Sequence, residues 1–382
     1  MADQSLIKRI NRARIMNVIR LHSPVPRADI ADLTSLDRKS VTNLVNELLA
    51  EGLVLEAGKR STGKGRPLTL LEFDRTGHWT LGIALSGNDV VGELVDLYGN
   101  CVAMERIAYP LGAARADVLG ATREVARRLK TSAGDRLGGT ALAVPGILDL
   151  NTGVMRHSVN LPSLDGVDLR SELQDTLGSN FAFEESSRAK ALAEKWFGLA
   201  KCEPDFVCID VGPGVGAGIV QGRRVFSHGL GYVGEIGHVI IERDGRLCRC
   251  GHRGCLEAYV SDEALLRELN GQAPSREEGL EGLDPGNESI QRVLARAGYR
   301  LGFALSYLVN IVCPPLIVIN GGLMRFREQV LPGIQRGLQE GALPECLERT
   351  RVAASPLVHA AALGAAACAL SRLFEIEGHL YV

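Results

Sequence analysis

Three cysteines and one histidine set the tightest limit on how this 382-residue chain folds. Cys248, Cys250 and Cys255 lie in the run Cys248-Arg249-Cys250-Gly251-His252-Arg253-Gly254-Cys255-Leu256-Glu257, and Gly234-Glu235-Ile236-Gly237-His238 comes just upstream. Three thiolates and one imidazole complete a tetrahedral zinc shell and leave no position for a catalytic water. The expected cofactor is therefore a structural Zn2+ held by His238, Cys248, Cys250 and Cys255. The same stretch carries Glu235 and Glu257, so a metal-clamped loop would present carboxylate acceptors to a polyhydroxyl ligand.

With 46% hydrophobic and 23% charged residues, a chain of this length can bury substantial cores in two or three domains. No apolar run reaches membrane-spanning length, and the start is polar without a signal-peptide core, so the cytoplasm is the expected compartment and no membrane partner is expected. The nine cysteines are scattered apart from the trio, which argues against a disulfide framework. Net charge is -2, yet residues 1–80 hold 13 Lys and Arg against 9 Asp and Glu. A basic head on an acidic body points to an appended nucleic-acid-binding module.

Residues 10–52 show helical apolar periodicity in three blocks: Ile10, Ile15, Val18 and Ile19, then Ile30, Ala31 and Leu33, then Val41, Leu44, Val45, Leu48 and Leu49. Pro24 and Pro26 separate the first two blocks, and Thr34-Ser35 turn into the third. Asp37 is placed to cap the third helix and Gly52 to end it. This layout is a helix-turn-helix. The polar face of its third helix carries Arg38, Lys39, Ser40, Thr42, Asn43 and Asn46, types that reach phosphates and base edges. Short strands at 53–56 and 68–71 flank a basic tip that includes Lys64 and Arg66, the pattern of a wing that contacts phosphates or a minor groove. A three-helix bundle used for protein contact is the alternative; helix polarity, turn spacing and basic hairpin together favour DNA.

From about Trp79 the pattern becomes strand, glycine turn and helix. Strands are expected at 79–85, 90–96, 140–144, 206–211, 218–220 and 316–319, with amphipathic helices near 116–130, 188–197 and 289–312. The mixture implies an α/β protein. Asp210-Val211-Gly212-Pro213-Gly214-Val215-Gly216-Ala217-Gly218 follows a strand, where close glycines let backbone amides approach a phosphate or a sugar; a tight hairpin turn explains it as well. The Ala- and Leu-rich stretch 360–373 and residues 306–311 are candidates for lobe or dimer packing, or for core.

These motifs together resemble the ROK family (repressor, open reading frame, kinase). The cysteine segment matches the family's Cys-x-Cys-Gly-x-x-Gly-Cys-x-Glu signature, Gly234 to His238 matches its Gly-Glu-x-Gly-His element, and Pro145-Gly146, Gly231 and Ile319-Asn320-Gly321-Gly322 also fit. With a winged helix-turn-helix in front, the chain is similar to the family's repressor branch, the xylose and N-acetylglucosamine repressors. The resemblance implies a winged head over residues 1–76 and a two-lobed actin-like or ribonuclease-H-like body over 77–382. Lobe one would cover about 77–190 plus the C-terminal helix, and lobe two about 191–365. It implies sugar contacts from Glu235, His238, Glu257 and Asn160, with the other nitrogen of His238 on zinc.

Two departures bear on activity. Family kinases carry an Asp-x-Gly-Gly-Thr phosphate loop, and here Ala84 stands at the acid and Ser86 at a glycine, with Asp89 five residues late. Their Asn-Asp-Ala-Asn element supplies the general base, and aligning from Ala191-Leu192-Ala193-Glu194 sets Glu185-Ser186-Ser187-Arg188 over it, with Ser186 at the base. No catalytic residue is therefore expected. Glu185 falls where the family contacts a sugar hydroxyl. It would pair with Arg188, or Arg188 would face an acidic or phosphorylated effector. The expected function is a transcriptional repressor, a homodimer or homotetramer on a palindromic double-stranded operator, with a sugar or sugar derivative as effector. A sugar kinase with a DNA-binding head, and a regulator controlled by a protein partner, are the alternatives.

Overall fold

The computed structural model describes residues 4–61, 67–226, 233–269, 279–376 and 379–380. The head opens with α1 (Gln4–His22), a short strand β1 (Val25–Pro26), α2 (Arg27–Thr34) and α3 (Arg38–Ala50), then β2 (Val54–Arg60) and β3 (Leu68–Phe73). The periodic apolar positions close one core, with Ile15, Ile19, Ile30, Val41, Val45 and Leu48 fully buried. Leu33 does not join it and is 51% exposed. In the two-turn α2 the buried face is taken by Ile30, Ala31 and Thr34, and Leu33 lies roughly 100° around the helix from their mean direction. The hairpin is longer than expected, and β1 pairs with β3 to give a sheet of order β1-β3-β2. Lys64, Arg66 and Gly231 lie outside the described residues.

The body repeats one sheet plan. In the first sheet β4 (Trp79–Leu85), β5 (Asp89–Val95) and β6 (Cys101–Ala108) form an antiparallel meander, followed by the helix α4 (Arg115–Ala133) and β7 (Leu137–Val144). A short hairpin of β8 (Ile147–Leu148) and β9 (Met155–His157), then α5 (Leu169–Leu177), lead to β10 (Ala182–Glu185). The strand order is β10-β7-β4-β5-β6, with β7 parallel to β4 and to β10. After α6 (Ser186–Phe197) the plan recurs in β11 (Phe206–Val211), β12 (Val215–Gln221) and β13 (Arg224–Val225). It is completed by β14 (Leu316–Asn320) and β15 (Arg351–Ala354), in the order β13-β12-β11-β14-β15. Each sheet is thus a meander whose first strand also pairs in parallel with the fourth. This is the two-lobed α/β architecture expected of the body.

Among the described residues, the helices α7 (Glu257–Val260), α8 (Asp262–Leu269), α9 (Glu288–Val312), α10 (Arg327–Gly341) and α11 (Pro344–Leu347) follow the cysteine loop. The last described helix, α12 (Ala360–Phe374), returns to the first sheet. Its alanines account for that position. Ala362, Ala365 and Ala369 pack in one layer with Ala84, Ala141, Ala143 and Ala189, and only side chains this short let a helix lie so close to a sheet and to α6. At Gly364 a β-carbon would come 1.7 Å from the carbonyl oxygen of Ala189, so the contact admits no side chain. The buried face of residues 360–373 is therefore core, while Arg372 is exposed. In 306–311, Ser306, Leu308 and Val309 are buried, while Tyr307 and Ile311 are exposed.

Head and body share a hydrophobic cluster. Ile15, Met16 and Ile19 of α1 and Leu71 and Phe73 of β3 pack with Leu192 and Trp196 of α6 and Leu370 and Phe374 of α12. Phe374 makes edge contacts with Phe73 and Trp196, at centroid distances of 5.6 and 5.2 Å. The Arg20 guanidinium lies over the Trp196 ring at 4.5 Å, and Asn17 Nδ2 donates to the Phe374 carbonyl. The DNA-binding layout thus sits on the body through α6 and α12.

Candidate functional site

On the head, Asp37 caps α3 by accepting from the backbone N–H groups of Lys39 (3.0 Å) and Ser40 (2.9 Å). That cap fixes the entry of the helix that carries the polar face. Arg38, Lys39, Thr42, Asn43 and Asn46 are exposed. Two hydroxyls of the set are already engaged: Ser40 Oγ donates to Asp37 Oδ2 and Thr42 Oγ1 donates to the Arg38 carbonyl. Most surrounding cations are matched within the head, Lys8 with Glu47, Arg12 with Glu51, Arg27 with Glu56 and Arg60 with Asp29. Among the described residues, Arg38 and Lys39 form no ion pair, and they stand together at the first turn of α3.

In the body, the four predicted metal ligands converge. The donor atoms of His238, Cys248, Cys250 and Cys255 all lie within 4.8 Å of one another. Cys250 Sγ and Cys255 Sγ are 3.7 Å apart, and Cys248 Sγ is 3.8 Å from His238 Nδ1. Tetrahedral zinc with bonds near 2.3 Å to sulfur and 2.0 Å to nitrogen requires ligand–ligand edges of about 3.5–3.8 Å. The donor set therefore fits that ion.

The other ring nitrogen of His238, Nε2, lies 3.9 Å from Glu235 Oε2. Glu235 owes its place to Gly234, where φ is +95° and a β-carbon would come 1.8 Å from the Ala217 carbonyl oxygen. Burial and the neighbouring Glu257 push the Glu235 carboxyl above its usual range, against the pull of His238 and Arg188. Glu257, at the start of α7, accepts from Val215 N–H at 3.0 Å and so ties the cysteine loop to the glycine-rich turn. Asn160 reaches the same place from the first lobe: a β-carbon on Gly214 would sit 3.2 Å from Glu257 Oε2 and 3.7 Å from Asn160 Nδ2.

At the foot of α6 the expected pairing of Glu185 with Arg188 is not what forms. Glu185 caps the helix, accepting from Ser187 and Arg188 N–H at 2.8 and 3.1 Å. Arg188 Nε instead donates to Glu184 Oε1 at 2.7 Å. A side chain that caps its own helix points back at the backbone, which leaves the preceding residue to meet the guanidinium one turn on. Burial raises the Glu185 carboxyl to about 7. Ser186 Oγ is buried without a partner among the described residues.

Ala84 belongs to the alanine layer between α12 and the first sheet, an apolar surrounding for any acid placed there. Asp89 is committed elsewhere, accepting from Ser86 Oγ and, at 2.7 Å, from Arg106 Nε. Sequence reasoning missed Lys190 and Asp262 beside the glycine-rich turn, and named Asp210 only as the start of that stretch. Lys190 pairs with Asp210, and Asp262 N–H donates to the Gly212 carbonyl. Burial, then the charge of Asp210, raise the Asp262 carboxyl to about 7. These three are far apart in the chain, and only the position of Lys190 one turn into α6 was a signal.

The sequence profile of the ROK family matches residues 80–372. The chain belongs to the ROK family. Over its whole length it is 30% identical to a putative xylose repressor of Caldicellulosiruptor sp. (strain Rt8B.4), across all of that protein. Among solved structures it is similar to a ROK family transcriptional regulator described as a homolog of the E. coli MLC protein. That likeness has a TM-score of 0.78 at 25% identity and covers 96% of this chain and 97% of the other. It is also similar to a ROK hexokinase from Thermus thermophilus, with a TM-score of 0.62 at 28% identity, covering 77% of this chain and 99% of that one. The ROK body is thus common to both, and the likeness extends over the head only with the regulator. No helix among the described residues is long and apolar enough to cross a membrane.

Proposed function

We propose that this ROK protein is a DNA-binding transcriptional repressor whose body senses a sugar or sugar derivative, and that it transfers no phosphoryl group. One observation carries the reading: carboxylates fit to accept sugar hydroxyls are kept at Glu235 and Glu257, while Ala84 and Ser186 stand where a kinase needs acids. Ala84 lies in an apolar layer, Asp89 is tied to Arg106, and a serine hydroxyl cannot take a proton at neutral pH. The relatives, a protein named as a putative xylose repressor and a ROK family transcriptional regulator, agree with it.

In this reading His238, Cys248, Cys250 and Cys255 hold a zinc ion whose role is architectural. It fixes the imidazole so that Nε2, with Glu235, Glu257, Asn160 and Glu185, lines the sugar site. Arg38, Lys39, Ser40, Thr42 and Asn43 of α3, with Lys64 and Arg66 of the wing, meet DNA. The protein acts in the cytoplasm as a homodimer or homotetramer on a palindromic operator, and sugar binding lowers operator affinity through its preference for one arrangement of lobes and heads.

The test is fluorescence anisotropy of the purified protein on DNA flanking its own gene, with and without a panel of monosaccharides, beside an ATP-turnover assay. Expected are binding that weakens steeply with salt, release by one sugar or a narrow group, and no sugar-dependent ATP consumption. Sugar-dependent ATP consumption would reject the non-kinase reading, and DNA binding indifferent to every sugar would reject the sensor.

A further inference from the structure

Arg188 is fully buried, yet only Nε has a partner, Glu184. Nη1 and Nη2, which carry four N–H groups, make no hydrogen bond among the described residues. A guanidinium withdrawn from water with two of its three nitrogens unbonded is among the most costly arrangements a fold can keep, and groups left this way mark places where a partner binds. The surroundings narrow the partner. Both oxygens of Glu185 are spent on backbone N–H groups. Glu235 is half-exposed, and neither it nor Glu185 is in ion-pair contact with Arg188, yet both carboxyls feel its charge. Arg188 and Glu235 are held against the same strand, β12: a β-carbon on Gly218 would meet Arg188 Cα at 3.2 Å, and one on Gly234, the residue before Glu235, would meet the Ala217 carbonyl oxygen at 1.8 Å.

An acidic or phosphorylated effector, the alternative that the sequence left for Arg188, is poorly served here. Glu184 pairs with this guanidinium, Glu185 caps its helix, Glu257 and Glu235 lie beside the same strand β12, and the lysine next on α6, Lys190, is engaged by Asp210. A further anion would meet more negative than positive charge. A hydroxyl suits the gap better. Arginine only donates and a carboxylate only accepts, whereas a hydroxyl does both, so one hydroxyl between them satisfies each.

We propose that Arg188 is a ligand-binding residue of the sugar site. Its Nη1 and Nη2 donate to oxygens of an uncharged sugar whose hydroxyls donate to Glu235, and the surrounding carboxylates reject sugars that carry a carboxylate or a phosphate. The proposal rests on the reading of the body as a sugar sensor.

The experiment is calorimetry on the full chain with xylose, glucose and N-acetylglucosamine, each against charged counterparts: xylonate, glucuronate, glucose 6-phosphate and N-acetylglucosamine 6-phosphate. Wild-type protein is expected to bind an uncharged sugar at least about tenfold more tightly than its charged counterpart. Arg188→Gln should weaken that sugar by about tenfold or more, on protein that still melts cooperatively. Because a buried arginine is a risky site to change, Glu235→Gln supplies a second arm. It should weaken the same sugar and narrow the gap to the charged counterpart. A charged sugar that binds more tightly than its parent overturns the proposal in favour of an anionic effector. Unchanged affinity in both variants overturns it in favour of a counter-ion for Glu184 alone. If no sugar of either kind binds the wild type, the sensor reading itself falls, a result distinct from the other two.

Discussion

Glu93 stands on β5 with 6% of its surface exposed and no ion pair among the described residues, and burial raises its carboxyl to about 7. The folded-state value lies above the ordinary 4.5, so what this group contributes to stability is fully present below pH 4.5 and is lost as pH rises through 7. The loss is at most about 3 kcal/mol. Melting temperature should therefore fall between pH 5 and pH 8 more steeply in the wild type than in Glu93→Gln, as read by calorimetric scans; parallel slopes would show that Glu93 does not titrate there. At this scale the clustering of His238, Cys248, Cys250 and Cys255 was legible, because residue type and spacing are local. The partner of Arg188 was not, since Glu184 and Glu185 are adjacent carboxylates and only the cap geometry decides between them.

Among elements, α3 shows how a local signal sets a functional surface. Asp37 accepts from two otherwise unbonded N–H groups and from Ser40 Oγ, so it orders the turn that displays Arg38 and Lys39. Asp37→Ala should lower the melting temperature and weaken operator binding, while Asp37→Ser retains both, by thermal melts and anisotropy. Equal DNA binding by the alanine variant would mean that this turn does not meet DNA. Most helix and strand positions were readable because periodicity and caps act over a few residues. Leu33 was misread because an eight-residue helix offers too few positions to define its buried face. Strand ends were placed short because pairing partners, more than propensity, decide where a ladder stops.

Across the whole molecule, α6 links the two functional regions. Its N-terminal end carries Glu185 and Arg188 at the proposed sugar site, and its last turn places Trp196 in the cluster shared with α1 and β3. A helix of 12 residues spans about 18 Å as a stiff rod, so displacement at one end reaches the other. Trp196→Ala should cost about 3–5 kcal/mol and uncouple the ends: sugar still binds by calorimetry, but operator affinity changes much less on its addition. A variant that retains the full sugar response would remove α6 from the path.

The linear chain by itself determined what near neighbours can settle: the zinc-type ligand spacing, the helix-turn-helix with its caps, and the alternation of strands and helices. Only the tertiary structure decided what depends on residues brought together from afar. It seated the head on Trp196 and Phe374, set Asn160 over Gly214 beside Glu257, and left the Nη atoms of Arg188 unbonded. The physical reason is range. Hydrogen bonds along a helix or ladder are written into local order, whereas burial, and with it the charge state and free valence of a side chain, is a property of the packed whole.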